Sequence, residues 1–258
     1  MMQGTGVSAR ALVAAALIAG MLQRGGTERG VTAAPAAQTI VAIGDSIVYG
    51  LHDAGGAGGW AGRLGSILGQ TYPGQQYRVI NAGINGDTSA GVLKRLSRDV
   101  IGKNPDLVIV AIGTNDFDYN IPVATFRANL TAILIRLRRE THAAIVAQSF
   151  LPEVRVRDDV LRREASYNAV VPQVCRQLGV GYQDLFDTFL ALGRSAMTSL
   201  RHDSEHPTPA GYMYIAAETG AFIQSVYAAA DGSLIQAQHA PGTDKLLPDD
   251  SLDGTSGS

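Results

Sequence analysis

Five short runs rich in valine, isoleucine and alanine recur through the middle of the chain, separated by longer stretches with helical periodicity. The runs are 39–43, 77–80, 107–112, 144–148 and 181–183. Their apolar residues do not alternate with polar ones, which is typical of parallel strands buried on both faces. Helices are predicted at 60–71, 89–101, 123–140, 158–178 and 209–227. This alternation predicts a three-layer α/β/α sandwich around a doubly wound parallel sheet of about five strands.

The amino-terminal end differs in composition from this alternating region. Arg10 precedes an apolar run, 11–22, and a small-residue stretch follows at 33–37. This order is the layout of a secretory signal, and the run is shorter than the roughly 20 apolar residues of a membrane span. We therefore predict a signal peptide and disordered leader over 1–37, export to the periplasm or cell exterior, and no stable membrane span after signal removal. An uncleaved anchor or a disordered extension is the alternative.

The carboxyl-terminal end is rich in glycine, proline, serine and aspartate, which contribute little to a core. We predict a flexible tail over 230–258 and one folded domain over 38–229. The formal net charge of -2 lacks the basic excess of nucleic-acid-binding proteins, so no nucleic-acid partner is expected. The single cysteine, Cys175, excludes an internal disulfide and a cysteine-built metal site.

Polar clusters follow three of the predicted strands and precede the last helix. In open parallel sheets, ligands bind outside the carboxyl ends of the strands, so these positions are where chemistry is expected. Each cluster alone is a weak signal, because such residues also form ordinary turns and helix caps. Their recurrence at one edge indicates a site. The clusters are Gly44-Asp45-Ser46, Asn81-Ala82-Gly83 with the turn that follows it, Gly113-Thr114-Asn115-Asp116 and Asp203-Ser204-Glu205-His206.

These clusters contain the parts of a nucleophilic catalytic site. Ser46 is the candidate nucleophile, and His206 is the candidate base because an imidazole side chain can accept and return a proton near neutral pH. Asp203 precedes His206 by three residues, so one turn brings its carboxylate to the second imidazole nitrogen. The backbone N–H groups of Ser46 and Gly83 and the carboxamide of Asn115 are candidate donors to an oxyanion.

The four clusters, in order, resemble the motifs of the GDSL, or SGNH, hydrolase family, and the resemblance extends over about 39–227. It implies a flavodoxin-like sheet and assigns the family's four named roles to Ser46, Gly83, Asn115 and His206, with Asp203 completing the triad. Residues 84–89 and 167–168 also look like the branch of bacterial secreted or periplasmic thioesterases, lysophospholipases and arylesterases.

The resemblance implies a serine esterase that hydrolyses carboxylic ester or thioester bonds of small-molecule or lipid acyl substrates. The mechanism requires no metal and no organic cofactor. A carbohydrate O-acetyl esterase or an acyltransferase with the same site is the alternative, followed by a non-catalytic binding module. An aromatic content of 6%, with one tryptophan, favours acyl chains over glycans.

Overall fold

A sheet of five parallel strands forms the centre of the computed structural model, which describes residues 37–154, 156–228 and 232–234. The spatial order β2-β1-β3-β4-β5 is the flavodoxin-like order. The predicted fold class is therefore confirmed. The strands are β1 (Gln38–Gly44), β2 (Tyr77–Gly83), β3 (Leu107–Ala111), β4 (Ala144–Gln148) and β5 (Gly181–Gln183).

Helices connect the strands and cover both faces of the sheet. They are α1 (Ser46–Tyr49), α2 (Gly59–Thr71), α3 (Ser89–Asp99), α4 (Thr114–Asp118), α5 (Val123–Glu140), α6 (Asp158–Asn168), α7 (Val170–Leu178), α8 (Leu185–Leu190), α9 (Arg194–Ser199) and α10 (Pro209–Val226), with a 3₁₀ turn at Ile101–Lys103. Within the described residues, no helix combines the length and apolar character needed to cross a bilayer.

The single helix predicted over 158–178 is two helices, α6 and α7, in the structure. Pro172 has no backbone N–H to donate to the carbonyl of Asn168, so a continuous helix cannot pass this point without losing a hydrogen bond. Proline is tolerated in the first turn of α7. Helices α1, α4, α8 and α9 were not predicted, because four to six residues are too few to show helical periodicity.

Successive residues of β1 point to opposite faces of the sheet, and both faces are buried. Val41 and Ile43 pack with α3, α5 and α7, whereas Ile40 and Ala42 pack with α2 and α10. This explains why the strand reads as an unbroken apolar run. The helices cover the faces, so the turns at the carboxyl ends of the strands form the edge at which polar side chains gather.

Residues 232–234 fold back onto the domain, although the predicted flexible tail begins at residue 230. Leu234 is buried in the core and its backbone forms a bridge with Ala228. The Tyr77 hydroxyl donates to the carbonyl oxygen of Gly232. Burial of one leucine and these hydrogen bonds extend the folded part past the predicted boundary. The predicted leader over 1–37 and the rest of the tail lie almost entirely outside the described residues.

Gly44, at the end of β1, is packed too closely for any side chain. A Cβ atom there would lie 1.9 Å from the carbonyl oxygen of Ala111 and 2.6 Å from a methyl group of Val48. We expect Gly44→Ala to lower the free energy of unfolding by about 3 kcal/mol, since a strand backbone would have to move.

Gly69 in α2 provides the matched control. A Cβ atom there would meet nothing within 4 Å, so Gly69→Ala should raise the free energy of unfolding by about 0.5–1 kcal/mol. Urea titrations of both variants measure the two changes. Equal unfolding midpoints for Gly44→Ala and the unsubstituted protein would contradict the packing argument.

Candidate active site

Ser46 is the first residue of α1, immediately after β1 ends. The carboxylate of Asp45 accepts a hydrogen bond of 3.0 Å from the N–H of Ile47 and so caps the helix. The N–H of Ser46 has no acceptor among the described residues, as expected for the first turn of a helix. The turn therefore presents a hydroxyl group and a free N–H donor at the carboxyl edge of the sheet.

The structure brings together the three residues predicted as a triad. The Oγ atom of Ser46 lies 3.0 Å from Nε2 of His206, although 160 positions separate the two residues. Nδ1 of His206 lies 2.9 Å from Oδ2 of Asp203. Serine, imidazole and carboxylate thus form one continuous chain of hydrogen bonds, the geometry that a nucleophile, a base and an orienting acid require.

Backbone pairing closes the loop that carries Asp203 and His206. Arg201 and Pro207 form an antiparallel bridge, and the N–H of His202 donates to the carbonyl of His206 over 2.8 Å. Within the loop, Oδ1 of Asp203 accepts from the N–H groups of Glu205 and His206 at 2.8 and 2.7 Å. One oxygen of the carboxylate therefore shapes the loop, while the other orients the imidazole.

Two aspartates of the site have opposite pKa shifts. Burial acts to raise the pKa of Asp203, but the N–H groups of His206 and Glu205 and the His206 side chain outweigh it and lower the pKa to about 2. Burial raises the pKa of Asp45 to about 6, despite the hydrogen bond from Ile47. Asp203 is therefore ionised wherever the triad operates, whereas Asp45 titrates near the weakly acidic range.

Asn115, at the start of α4, has one amide hydrogen committed and one available. Its Nδ2 atom donates to the carbonyl of Asp87 over 2.9 Å, which ties the carboxamide to the loop after β2. An amide nitrogen carries two donor hydrogens, so the second remains for a substrate oxygen. The described structure thus keeps Asn115 suitable as an oxyanion donor.

The N–H of Gly83 is occupied, which corrects the expectation that it is a free donor. It donates to Oδ1 of Asn81 over 2.9 Å. The Asn81 side chain is itself fixed, because its Nδ2 atom donates to the carbonyls of Val48 at 2.7 Å and Gly58 at 3.0 Å. A short polar side chain that binds the backbone two residues ahead is a common turn, and the sequence pattern did not reveal it.

Gly86, three residues after Gly83, has a backbone N–H in the loop after β2 that is free within the described structure. Its φ of 76° lies in the left-handed region that favours glycine. Its N–H has no acceptor within the described part of the chain, and it precedes Asp87, whose carbonyl holds Asn115. The Asn-Gly-Asp turn in the sequence marked this position as a turn but gave no sign of a free donor.

Arg95, on the buried side of α3, links the strand ends beneath the site. Its guanidinium donates to the carbonyls of Gly44 at 2.9 Å and Ala82 at 2.7 Å, and its Nε atom donates to the Asp87 carboxylate at 2.7 Å. Sequence reasoning missed this residue. The available signal was an arginine directly before Leu96 on the apolar face of a predicted helix.

The raised pKa of Asp45 predicts a pH-dependent stability. Folding raises the pKa of the Asp45 carboxyl group, so the protonated group stabilises the folded protein. This contribution is fully present below the unfolded pKa of 3.8 and is lost as pH rises through about 6. An asparagine side chain can also cap a helix, so Asp45→Asn should remove the contribution of this group to the pH dependence and keep the cap of α1. As pH rises from about 5 to about 8, we expect the free energy of unfolding of the unsubstituted protein to fall by about 1 kcal/mol more than that of the variant.

Denaturant titrations across this pH range measure the effect. Asp184→Asn is the matched control, because Asp184 caps α8 through the same type of hydrogen bond. Parallel stability–pH curves for the unsubstituted protein and Asp45→Asn would contradict the assigned titration.

Comparison with known proteins identifies the group to which this arrangement belongs. The family model described as the GDSL-like lipase/acylhydrolase family matches residues 42–214. An acetylxylan esterase from Geobacillus stearothermophilus is 27% identical over 198 residues, covering 69% of this chain and 90% of that protein. Esterase TesA from Pseudomonas aeruginosa is 36% identical over 124 residues, covering 47% of this chain and 59% of that protein.

The fold has solved counterparts among esterases. The crystal structure of Axe2, an acetylxylan esterase from Geobacillus stearothermophilus, superposes with a TM-score of 0.64 at 24% identity, covering 72% of this chain and 93% of that one. This similarity concerns the fold, whereas the family model matches well over half of the chain. The chain therefore belongs to the GDSL-like lipase/acylhydrolase family of ester-hydrolysing serine hydrolases.

Proposed function

We propose that this enzyme is a serine esterase that hydrolyses carboxylic ester or thioester bonds of small-molecule or lipid acyl substrates. Ser46 is the nucleophile, His206 the general base and Asp203 the residue that orients the base. The observation that carries the proposal is the continuous hydrogen-bonded chain from Ser46 Oγ through His206 to the Asp203 carboxylate, with distances of 3.0 and 2.9 Å. This geometry allows a proton to leave the serine as its oxygen attacks a carbonyl carbon.

The first half of the reaction forms an acyl-enzyme. Nε2 of His206 takes the proton of Ser46 as Oγ bonds to the carbonyl carbon, and the carbonyl oxygen becomes an oxyanion. Asp203 remains ionised and stabilises the imidazolium through Nδ1, which agrees with the lowered pKa of its carboxyl group. The imidazolium then donates its proton to the leaving alcohol or thiol as the tetrahedral intermediate collapses.

Three donors are proposed for the oxyanion. The N–H of Ser46 and the second amide hydrogen of Asn115 are both uncommitted among the described residues. The third was predicted to be Gly83, but we now propose Gly86, because the Gly83 N–H is bonded to Asn81. Donors fixed before the reaction stabilise the developing charge without reorganising, which is why their prior positioning matters.

The second half of the reaction repeats these steps with water. His206 takes a proton from water, whose oxygen attacks the acyl carbon, and the released Ser46 recovers its proton from the imidazolium. No step requires a metal ion or an organic cofactor. We also propose that the enzyme is exported, on the basis of the charged, apolar and small-residue order at its amino terminus.

A carbohydrate O-acetyl esterase is the second candidate, favoured by an exposed tyrosine beside the loop after β2. Tyr119 is 61% exposed, and its hydroxyl lies 3.5 Å from where a Cβ atom on Gly86 would be. The low aromatic content favoured acyl chains over glycans, whereas the exposed Tyr119 ring beside Gly86 offers a surface on which a sugar could stack. A relative named acetylxylan esterase gives the same candidate independent support.

A p-nitrophenyl ester series from acetate to palmitate, together with an acetylated xylo-oligosaccharide, tests both candidates. We expect turnover by the unsubstituted protein and a loss of at least about 10⁴-fold in Ser46→Ala, since the attacking oxygen is removed. Ser66→Ala, at an exposed serine of α2, is the matched control and should retain full turnover.

The substrate preference separates the candidates. A maximum at long acyl chains supports a lipid or thioester substrate, whereas release of acetate from the oligosaccharide in preference to long-chain esters supports the second candidate. A folded protein that hydrolyses none of these substrates would contradict hydrolysis of them and point to acyl transfer to a separate acceptor.

Removal of the Asn115 carboxamide should lower turnover more than substrate affinity. We expect Asn115→Ala to reduce kcat by about 10²–10³-fold with little change in KM, because the proposed bond strengthens only as the oxyanion forms. Steady-state kinetics on the preferred p-nitrophenyl ester measure both constants.

Asn129→Ala is the matched control for this substitution. Asn129 donates to the Ser89 hydroxyl over 2.9 Å, so the variant removes a nearby scaffold hydrogen bond without removing a proposed oxyanion donor. Equal losses of kcat in the two variants would assign Asn115 to the scaffold and overturn its proposed role.

A further inference from the structure

His52 lies beside the triad and has no part in the proposed reaction. Its Nε2 atom is 3.7 Å from Oδ2 of Asp203, and its ring stacks on His202 with centroids 4.1 Å apart. The ring also meets that of His206 edge-on, at 5.5 Å between centroids. A second imidazole therefore faces the carboxylate that orients the proposed base.

The backbone holds His52 in an unusual conformation. Its φ of 65° lies in the left-handed region, which is costly for a residue other than glycine and persists only where surrounding contacts enforce it. On one side, the Tyr212 hydroxyl donates to the Leu51 carbonyl over 2.7 Å. On the other, Arg63 donates two hydrogen bonds, of 2.6 and 2.8 Å, to the Asp53 carboxylate. These contacts fix the chain on both sides of His52, and stacking on His202 orients its ring.

The three side chains have the spacing of a metal-binding group. One ligand atom from each of His52, Asp203 and His206 lies within 4.8 Å of the other two. In a tetrahedral zinc site with bonds of about 2.0 Å, neighbouring ligand atoms are about 3.3 Å apart. The separations of 2.9 and 3.7 Å from the Asp203 oxygen to the two imidazoles lie on either side of that value.

We propose that His52, Asp203 and His206 form an inhibitory binding site for a divalent transition-metal ion such as Zn²⁺. Two imidazoles and one carboxylate are suitable ligands for this ion, and water completes the fourth position. The side chains of His52 and Asp203 are about two-fifths exposed, so the ion can reach them from solvent. Such an ion is an inhibitor and not a cofactor, so the proposed reaction still proceeds without a metal.

Metal binding would disable the base by changing its tautomer. Ligation by Nδ1 of His206 requires that the imidazole proton leave Nδ1 and that a proton occupy Nε2, so the ring stays neutral and no net proton is released. Nε2 then donates to Ser46 instead of accepting its proton. The metal also takes the Asp203 oxygen that orients the ring. This consequence rests on the proposed function, whereas metal binding itself does not.

The test compares zinc binding and zinc inhibition in the full chain and in two substitutions of His52. His52→Asn and His52→Gly both suit a positive φ, so each can remove the imidazole without disturbing the turn. His142→Gln is the matched control, because His142 is exposed at the opposite, amino-terminal edge of the sheet. Thermal unfolding identifies the variants that remain folded.

Binding is measured by competition with a chromophoric chelator and by the visible absorption of Co²⁺, neither of which requires activity. Inhibition is measured as the ratio of rates with and without buffered Zn²⁺, which cancels differences in basal rate. We expect the unsubstituted protein and His142→Gln to bind and be inhibited alike. Loss of the imidazole at position 52 should weaken both effects by at least about tenfold.

Two results would overturn the site: equal zinc affinity with and without the His52 imidazole, or no zinc binding by the unsubstituted protein. Binding that depends on His52 in a protein that hydrolyses no tested ester would support the site and contradict the proposed function. Zinc binding that depends on His52 but does not inhibit the enzyme would support the site and overturn its proposed inhibitory effect.

Discussion

The guanidinium of Arg95 holds together the strand ends on which the site is built. It donates to the carbonyls of Gly44 and Ala82 and to the Asp87 carboxylate, and so joins the ends of β1 and β2 to the loop after β2. A buried cation is costly when one of its partners is missing, so loss of any of these acceptors would destabilise this edge of the sheet. Gly44 leads into the nucleophile turn, and the Asp87 carbonyl receives Asn115. One side chain therefore fixes the separation between the nucleophile and the proposed oxyanion donors.

The two aspartates of the site have different environments, and therefore different pKa values and different roles. Asp45 is buried, caps α1 and has a raised pKa because burial outweighs its hydrogen bonds. Asp203 is more exposed, accepts two backbone N–H groups and one imidazole, and has a lowered pKa because these bonds outweigh burial. The first supports the turn that presents Ser46. Asp203 keeps a negative charge beside His206, and this charge also makes Asp203 a suitable ligand in the proposed metal site.

The sheet and the position of the site were predictable because both follow from local patterns. A strand buried on both faces must be apolar at every position, so unbroken valine and isoleucine runs identified the strands. Residues that follow such strands lie at one edge of the sheet, so Ser46 and Asn115 could be predicted to belong to the same site. Asp203 and His206 were predictable as a pair because a three-residue separation suits one turn. The break between α6 and α7 was also marked in the sequence, by Pro172, but the apolar pattern continued across it.

The sequence by itself determined the order of the strands and of the longer helical segments between them, the parallel sheet, and the residue types from which a triad can be built. Only the tertiary structure decided which polar groups remain free, because hydrogen-bond partners come from segments far apart in the chain. The side-chain oxygen of Asn81 accepts a hydrogen bond from the N–H of Gly83, whereas the N–H of Gly86 has no acceptor among the described residues. His52 reaches Asp203 across about 150 residues, because the loop after α1 and the loop before α10 meet at the same edge. Periodicity reports which face of an element is buried, whereas these pairings depend on distances that exist only after the elements have packed.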